Sequence, residues 1–145
     1  MRVIESNVIG AIGEYHVLAE LLRNGFDAYL AHGKTQADWD IIVIMDNKNI
    51  KIQVKTKTLN NLCTNNPIEI ESGQCDYVII VVINNISVKN ETNIYDNYSN
   101  IILNISDYNR LKGNKKKLSI KCKKHGEYII KECFKDYINN WGYIT

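Results

Sequence analysis

The sequence predicts a single α/β domain, and three features carry that expectation. A run with helical period ends in a glycine over residues 8–25, two strand-length runs flank a turn over residues 40–55, and a third, apolar run covers residues 75–83.

The bulk properties bound the class. At 145 residues the chain is long enough to bury an ordinary core without a staple. Hydrophobic residues make up 45% and charged residues 23% of it, as in ordinary soluble domains, and no apolar run approaches the roughly 18–20 residues of a membrane span. Met1 to Glu5 lacks the apolar core of a signal peptide, so an intracellular protein away from membranes is expected. Cys63, Cys75, Cys122 and Cys133 are too scattered for a disulfide scaffold. Cys122 and His125 have a C-x-x-H spacing, with Cys133 as a third candidate ligand, but a structural zinc site takes four ligands and none is expected.

Ser6 or Asn7 can cap the first helix, which runs from Val8 to Asn24 and stops at Gly25. On a wheel of about 100° per residue, His16, Glu20, Arg23 and Asn24 share the wet face. Glu14 lies opposite them, among Gly10, Ala11, Val17, Leu18 and Leu21. A carboxylate inside a core-facing stripe is costly unless a cation or metal matches it. Lys55, or a metal beside Asp40, would serve.

Phe26 to Ala31 reads as a strand, and His32 to Asp38 as a polar loop. Lys34, Thr35 and Gln36 in that loop can touch a phosphate, or can equally belong to a plain surface loop. Asp40 to Met45 is a β-branched strand, Asp46 to Asn49 is turn chemistry, and Ile50 to Lys55 alternates apolar and polar residues. Closing the hairpin around Asn47-Lys48 sets Met45 opposite Ile50, Ile42 opposite Gln53 and Asp40 opposite Lys55. Asp40, Gln53 and Lys55 then share one face. Lys51, Gln53, Lys55 and Lys57 could be only a solvated strand face, but Ile42 and Ile44 on the same surface call for cover.

Beyond an Asn-rich stretch, Cys75 to Ile83 reads as a buried strand, and residues 84–100 as turn-rich. Ile101 to Asn104 is a short strand, and Ser106 to Leu111 one or two helical turns. Leu118 to Lys121 with Tyr128 to Ile130 reads as a hairpin, and Phe134 to Trp141 as a closing helix. The net charge is only +2, but Arg110, Lys112, Lys115, Lys116, Lys117, Lys121, Lys123 and Lys124 follow one another without an acidic residue. Such a cluster suits phosphate backbones, or forms a solvated loop.

The series Gly13-Glu14 with Leu21-Leu22 and Gly25, then Trp39-Asp40-Ile41-Ile42-Val43, then Ile52-Gln53-Val54-Lys55-Thr56 resembles the PD-(D/E)xK nuclease superfamily. Tyr137 to Trp141 looks like the closing helix of its small members. The resemblance implies a restriction-endonuclease-like αβββαβ core with a mixed central sheet flanked by helices, in one domain over 1–145. The catalytic core would cover about 6–84 and a variable part about 85–145.

Trp39 stands where the motif has proline, and Gln53 where an acidic residue is usual. The Q-x-K form is similar to that of intron-encoded homing endonucleases of this fold, and the first-helix Glu to that of archaeal Holliday-junction resolvases. The resemblance implies a Mg2+-dependent DNA endonuclease, with Mn2+ able to substitute, acting as a homodimer or homotetramer on specific sites or on junctions. Asp40, Gln53 and Glu14 would hold the metal and Lys55 would complete the catalytic set. Lys34, Thr35, Gln36, Lys57, Lys115, Lys116 and Lys117 would contact DNA. A fold that keeps nucleic-acid or protein binding without chemistry, or a buried ion-pair network of Asp40, Lys55 and Glu14, are the other readings.

Overall fold

The computed structural model describes residues 6–31, 39–59, 67–70, 75–83 and 98–145. Helix α1 spans Ser6–Arg23, and the Asn7 side-chain oxygen accepts the Val8 N–H at 2.9 Å. Gly25, at φ 83, ends it. The Gly25 N–H donates to Leu22 O and the Phe26 N–H to Leu21 O, each at 3.0 Å, the paired bonds of a left-handed C-cap. Gly13, Val17 and Leu21 face the sheet and are buried. Full burial of an aliphatic side chain such as Val17 or Leu21 contributes about 1.5–3 kcal/mol.

The strands β1 (Asp27–Leu30), β2 (Ile41–Met45), β3 (Lys48–Thr58), β4 (Tyr77–Ile83) and β5 (Tyr98–Asn104) lie side by side in chain order in a five-stranded sheet. β3 and β4 are parallel and the other neighbours antiparallel. The expected mixed sheet with flanking helices in a single domain is what the chain forms. The helix expected between β3 and β4 falls on a stretch of which only residues 67–70 are described, and there Ile68 bridges Leu118.

Each face of the sheet carries its own core. On the α1 side, Ile41, Val43, Ile50, Ile52, Val54, Ile79 and Val81 pack against Val17 and Leu21. On the other side, Val78, Ile80, Val82, Ile101 and Leu103 pack against Tyr108, Leu118, Ile120 and Phe134. β4 is buried along its whole length, as a strand covered on both faces must be. The second cover comprises α2 (Ile105–Lys112), the hairpin β6 (Lys121–Lys124) and β7 (Glu127–Ile130), and 3-10 turns at Glu132–Tyr137 and Trp141–Tyr143. Asn104 caps α2, its side-chain oxygen accepting the Asp107 N–H at 2.7 Å.

Three expectations need correction. The β2–β3 hairpin closes one residue earlier than expected, because Asp46 and Asn47 both take left-handed conformations, φ 50 and 63. Those angles make the two-residue primed turn whose twist matches the strands. Met45 therefore faces Lys48 and Ile42 faces Lys51, not Ile50 and Gln53. The shift is even in residues, so every side chain keeps its face. The last hairpin pairs Lys121–Lys124 with Glu127–Ile130, later than expected. The closing helix is broken: Asn139, at φ 55, donates its N–H to Asn100 O at 2.7 Å, and Ile138 bridges Ile101. Pairing with β5 replaces the continued helix.

Candidate active site

The site forms where β2 and β3 part. Their ladder ends at Ile41–Ile52, while β3 continues to Thr58, paired with β4. The Asp40 N–H donates to Ile52 O at 2.8 Å. Asp40 and Ile41 thus oppose the one residue Ile52, as at a β-bulge, a device that re-aims a side chain. The Asp40 carboxylate then takes the place of a β2 backbone group: its Oδ2 accepts the Val54 N–H at 2.8 Å. Asp40 is not set opposite Lys55. It closes the edge of β3 between Gln53 and Lys55, the residues on either side of Val54.

Glu14 reaches the same point from α1 because the helix lies unusually close to β3 beside it. A Cβ on Gly13 would sit 1.8 Å from Thr56 Oγ1, so only glycine permits this approach. Glu14 comes close enough to Asp40 to feel it: its carboxyl is pushed above the ordinary range by burial first, then by the charge and the hydrogen-bonding reach of Asp40. Among the described residues, no lysine or arginine forms an ion pair with either carboxylate. The buried Glu14–Asp40–Lys55 ion-pair network is thereby not what the geometry presents. Among the described residues, two acids meet without a counter-charge.

Gln53 and Lys55 are half-buried and alternate along β3 with Val54 and Thr56, on the sheet face away from α1 with Lys51 and Lys57. Lys51 is occupied by Trp39, with its Nζ 4.3 Å from the ring centre. The residue in place of the motif's proline thus covers one lysine of the strand. The donors that could hold a cation are the carboxylates of Asp40 and Glu14 and the side-chain carbonyl of Gln53. Among the described residues no cluster of three or more His, Cys, Asp or Glu exists. One or two carboxylates with a neutral oxygen fit Mg2+, which keeps several waters and needs no all-protein cage.

The expected DNA contacts divide. Lys34, Thr35 and Gln36 lie outside the described residues. Lys115 is exposed beyond α2, its carbonyl accepting Lys112 Nζ at 3.0 Å, and Lys116 pairs with Glu69 at 3.6 Å. Lys57 is half-buried, and its ammonium is pushed below the ordinary range by burial, then by Lys55, Lys121 and Lys117.

Three features escaped the sequence reading, the first being the packing role of Gly13, which it named only as part of the motif. Gly13 carried a signal, since a glycine inside a helix costs about 1 kcal/mol against alanine and needs a packing reason. The burial of Lys121 carried none. Nor did a polar cleft of about 440 Å³ lined by His16, Glu20, Asn24, Tyr98, Asn100, Asn139 and Trp141, where His16 stacks on Tyr98 with ring centres 4.1 Å apart. Among the described residues, no helix is long and apolar enough to cross a membrane.

No family model matches the chain, and no curated protein matches it in sequence. Among solved structures it is similar to a bacterial homing endonuclease, I-Ssp6803I, with a TM-score of 0.63 over 97% of this chain and 92% of that chain, at 11% sequence identity. At that identity the likeness establishes a shared fold.

Proposed function

We propose that the chain is a metal-dependent DNA endonuclease of the PD-(D/E)xK type in its Q-x-K form, acting as a homo-oligomer. The observation that carries this reading is the meeting of Asp40 and Glu14, without a counter-cation among the described residues, at the parting of β2 and β3, beside Gln53 and Lys55. Two carboxylates held together in a partly buried site either share a proton or await a cation. The fold, shared with a homing endonuclease, adds weight to the second.

Each residue then has a task. The Val54 N–H holds Asp40 Oδ2 and fixes the carboxylate that a cation would meet. Glu14 brings a second charge, and Gln53 a neutral oxygen that orients without adding charge. Lys55 orients the attacking water and faces the charge that develops on the phosphate. Bound Mg2+ would polarise the phosphate and ease deprotonation of that water. One domain carries one site, so cutting both strands calls for a symmetric pair of chains.

The test is Mg2+-dependent cleavage of linear duplexes, single strands and four-way junctions, with EDTA as control. Lys55→Ala and Asp40→Ala should each lower the rate by about 10²–10³-fold while DNA binding survives. Variants as active as wild type would sink the assignment. Cuts at discrete duplex sites mean a homing- or restriction-type enzyme, and cuts confined to junctions a resolvase. No metal-dependent cutting of any substrate leaves a binding module, which Gln53 permits.

A further inference from the structure

Lys121 is a buried cation for which the proposed chemistry has no use. It is 6% exposed, and its Nζ donates to Thr58 O at 3.0 Å, tying the β6–β7 hairpin to the end of β3. The ring of Tyr128 lies 5.1 Å from the same Nζ. Among the described residues, no carboxylate forms an ion pair with it. An ammonium has three protons to donate, and among the described residues one carbonyl with a ring face leaves its charge unmatched.

The neighbours make the deficit larger. Lys57 precedes the Thr58 carbonyl and shares its strand face with Lys55, two residues and about 6.6–6.8 Å further along β3. Lys117 lies exposed on the chain leading into the hairpin. Burial first, then Lys55, Lys121 and Lys117, lower the proton affinity of Lys57, and burial lowers that of Lys121. Among the described residues the acid of this neighbourhood, Glu69, pairs with Lys116, and positive groups gathered beside a buried ammonium are costly unless an anion joins them.

We propose that Lys57, Lys117 and Lys121 form a site for a backbone phosphate of DNA, next along β3 from the Asp40–Glu14 pair. Naming DNA as the source of the phosphate rests on the endonuclease reading. The site continues the line Gln53–Lys55–Lys57, so a polyanionic strand laid along β3 meets the carboxylate end and the lysine end in turn. Lys121 acts here as a positioning residue, holding the strand in register for cleavage elsewhere.

The experiment uses the full chain carrying Lys57→Met, Lys121→Met or Lys121→Arg, with duplex DNA binding titrated across salt in EDTA. Neutralising one phosphate contact lowers the slope of log Kobs against log[salt] by about 0.9, so a fourfold rise in salt should weaken wild type about 3-fold more than either Met variant. Lys121→Arg should keep the wild-type slope. In parallel, inorganic phosphate should raise the thermal midpoint of wild type more than that of Lys121→Met.

If Lys121 only ties the hairpin to Thr58, Lys121→Met loses stability while slope and phosphate response stay as in wild type, and the proposal falls. Should Lys121→Met not fold, an unchanged slope in Lys57→Met overturns the site equally. A phosphate response lost in Lys121→Met, in a protein that binds no DNA, keeps the anion site and defeats the endonuclease reading instead.

Discussion

Gly13→Ala tests whether the close approach of α1 to β3 builds the site. The added Cβ would lie 1.8 Å from Thr56 Oγ1, 3.0 Å from its Cβ and 3.1 Å from its Cγ2, where ordinary contact begins at 3.4 Å. Rotating Thr56 about χ1 can remove the worst clash, but the Cβ contact stays, and α1 must retreat by at least 3.4 − 3.0, about 0.4 Å. Overpacking of this kind costs about 1–3 kcal/mol. Alanine regains about 1 kcal/mol of helix propensity, which blurs the reading of this substitution alone. Gly10→Ala, in the same helix with nothing within 4 Å of the added Cβ, gives the propensity gain without the clash. The two variants should therefore differ by about 1–3 kcal/mol, or about 2–12 °C in thermal midpoint at this chain length. Thr56→Ala should recover part of the loss. Cleavage should suffer further, since displacing a catalytic group by about 1 Å can cost 10²-fold. If Gly13→Ala is as stable as Gly10→Ala, the close approach is not real and the placement of Glu14 loses its support.

Glu14 makes stability depend on pH in a definite sense. Its folded pKa lies above the ordinary 4.5, so the folded chain holds a proton that the unfolded chain releases. In metal-free protein, stability should fall as pH rises from 4.5 through the raised value and level off above it. Thermal scans of Glu14→Gln should show that fall flattened, and an unchanged profile would mean that Glu14 is not the group involved. Mg2+ at a hundred times its Kd should stabilise wild type by about 2.7 kcal/mol, and Glu14→Gln much less. Returning an acid to β3 in Glu14→Gln/Gln53→Glu should restore part of the Mg2+ affinity; calorimetry showing no recovery would separate Gln53 from the metal site. Asn47→Val, a β-branched side chain at φ 63, should cost about 1–3 kcal/mol in urea unfolding, whereas a neutral outcome would contradict the primed turn.

The elements built on local pattern were legible. The α1 stripe put Glu14 inward, and alternation along β3 put Gln53 and Lys55 on one face. The exact pairing was not, because Asn47 and its neighbours all suit a turn and the pattern fixes only odd or even register. The Asp40 carboxylate was placed on the correct strand end, yet its hold on Val54 depends on the bulge against Ile52, which no periodicity announces. The tail misled for a different reason. Phe134 to Trp141 has helical spacing, but Asn139 and Ile138 find partners on Asn100 and Ile101 in a strand far away in the chain. Lys121 read only as one member of a basic run, suited to phosphate or to solvent, because its burial is a property of the hairpin's docking on β3.

Gln53 changes what the site demands of the fold. An acid at that position would owe its place to the β3 ladder alone, held by backbone pairing to β4. With glutamine there, β3 supplies no negative charge, and on the proposed reading the second charge comes from Glu14 on a different layer of the protein. Its position depends on how closely a helix packs on a strand, a distance set by the missing side chain of Gly13 against Thr56. Adjacent residues in α1 thus do complementary work: Gly13 permits the approach and Glu14 uses it. On the proposed reading the electrostatics of the site are coupled to core packing, so that substitutions along the α1–β3 contact should change the metal affinity without touching a proposed ligand.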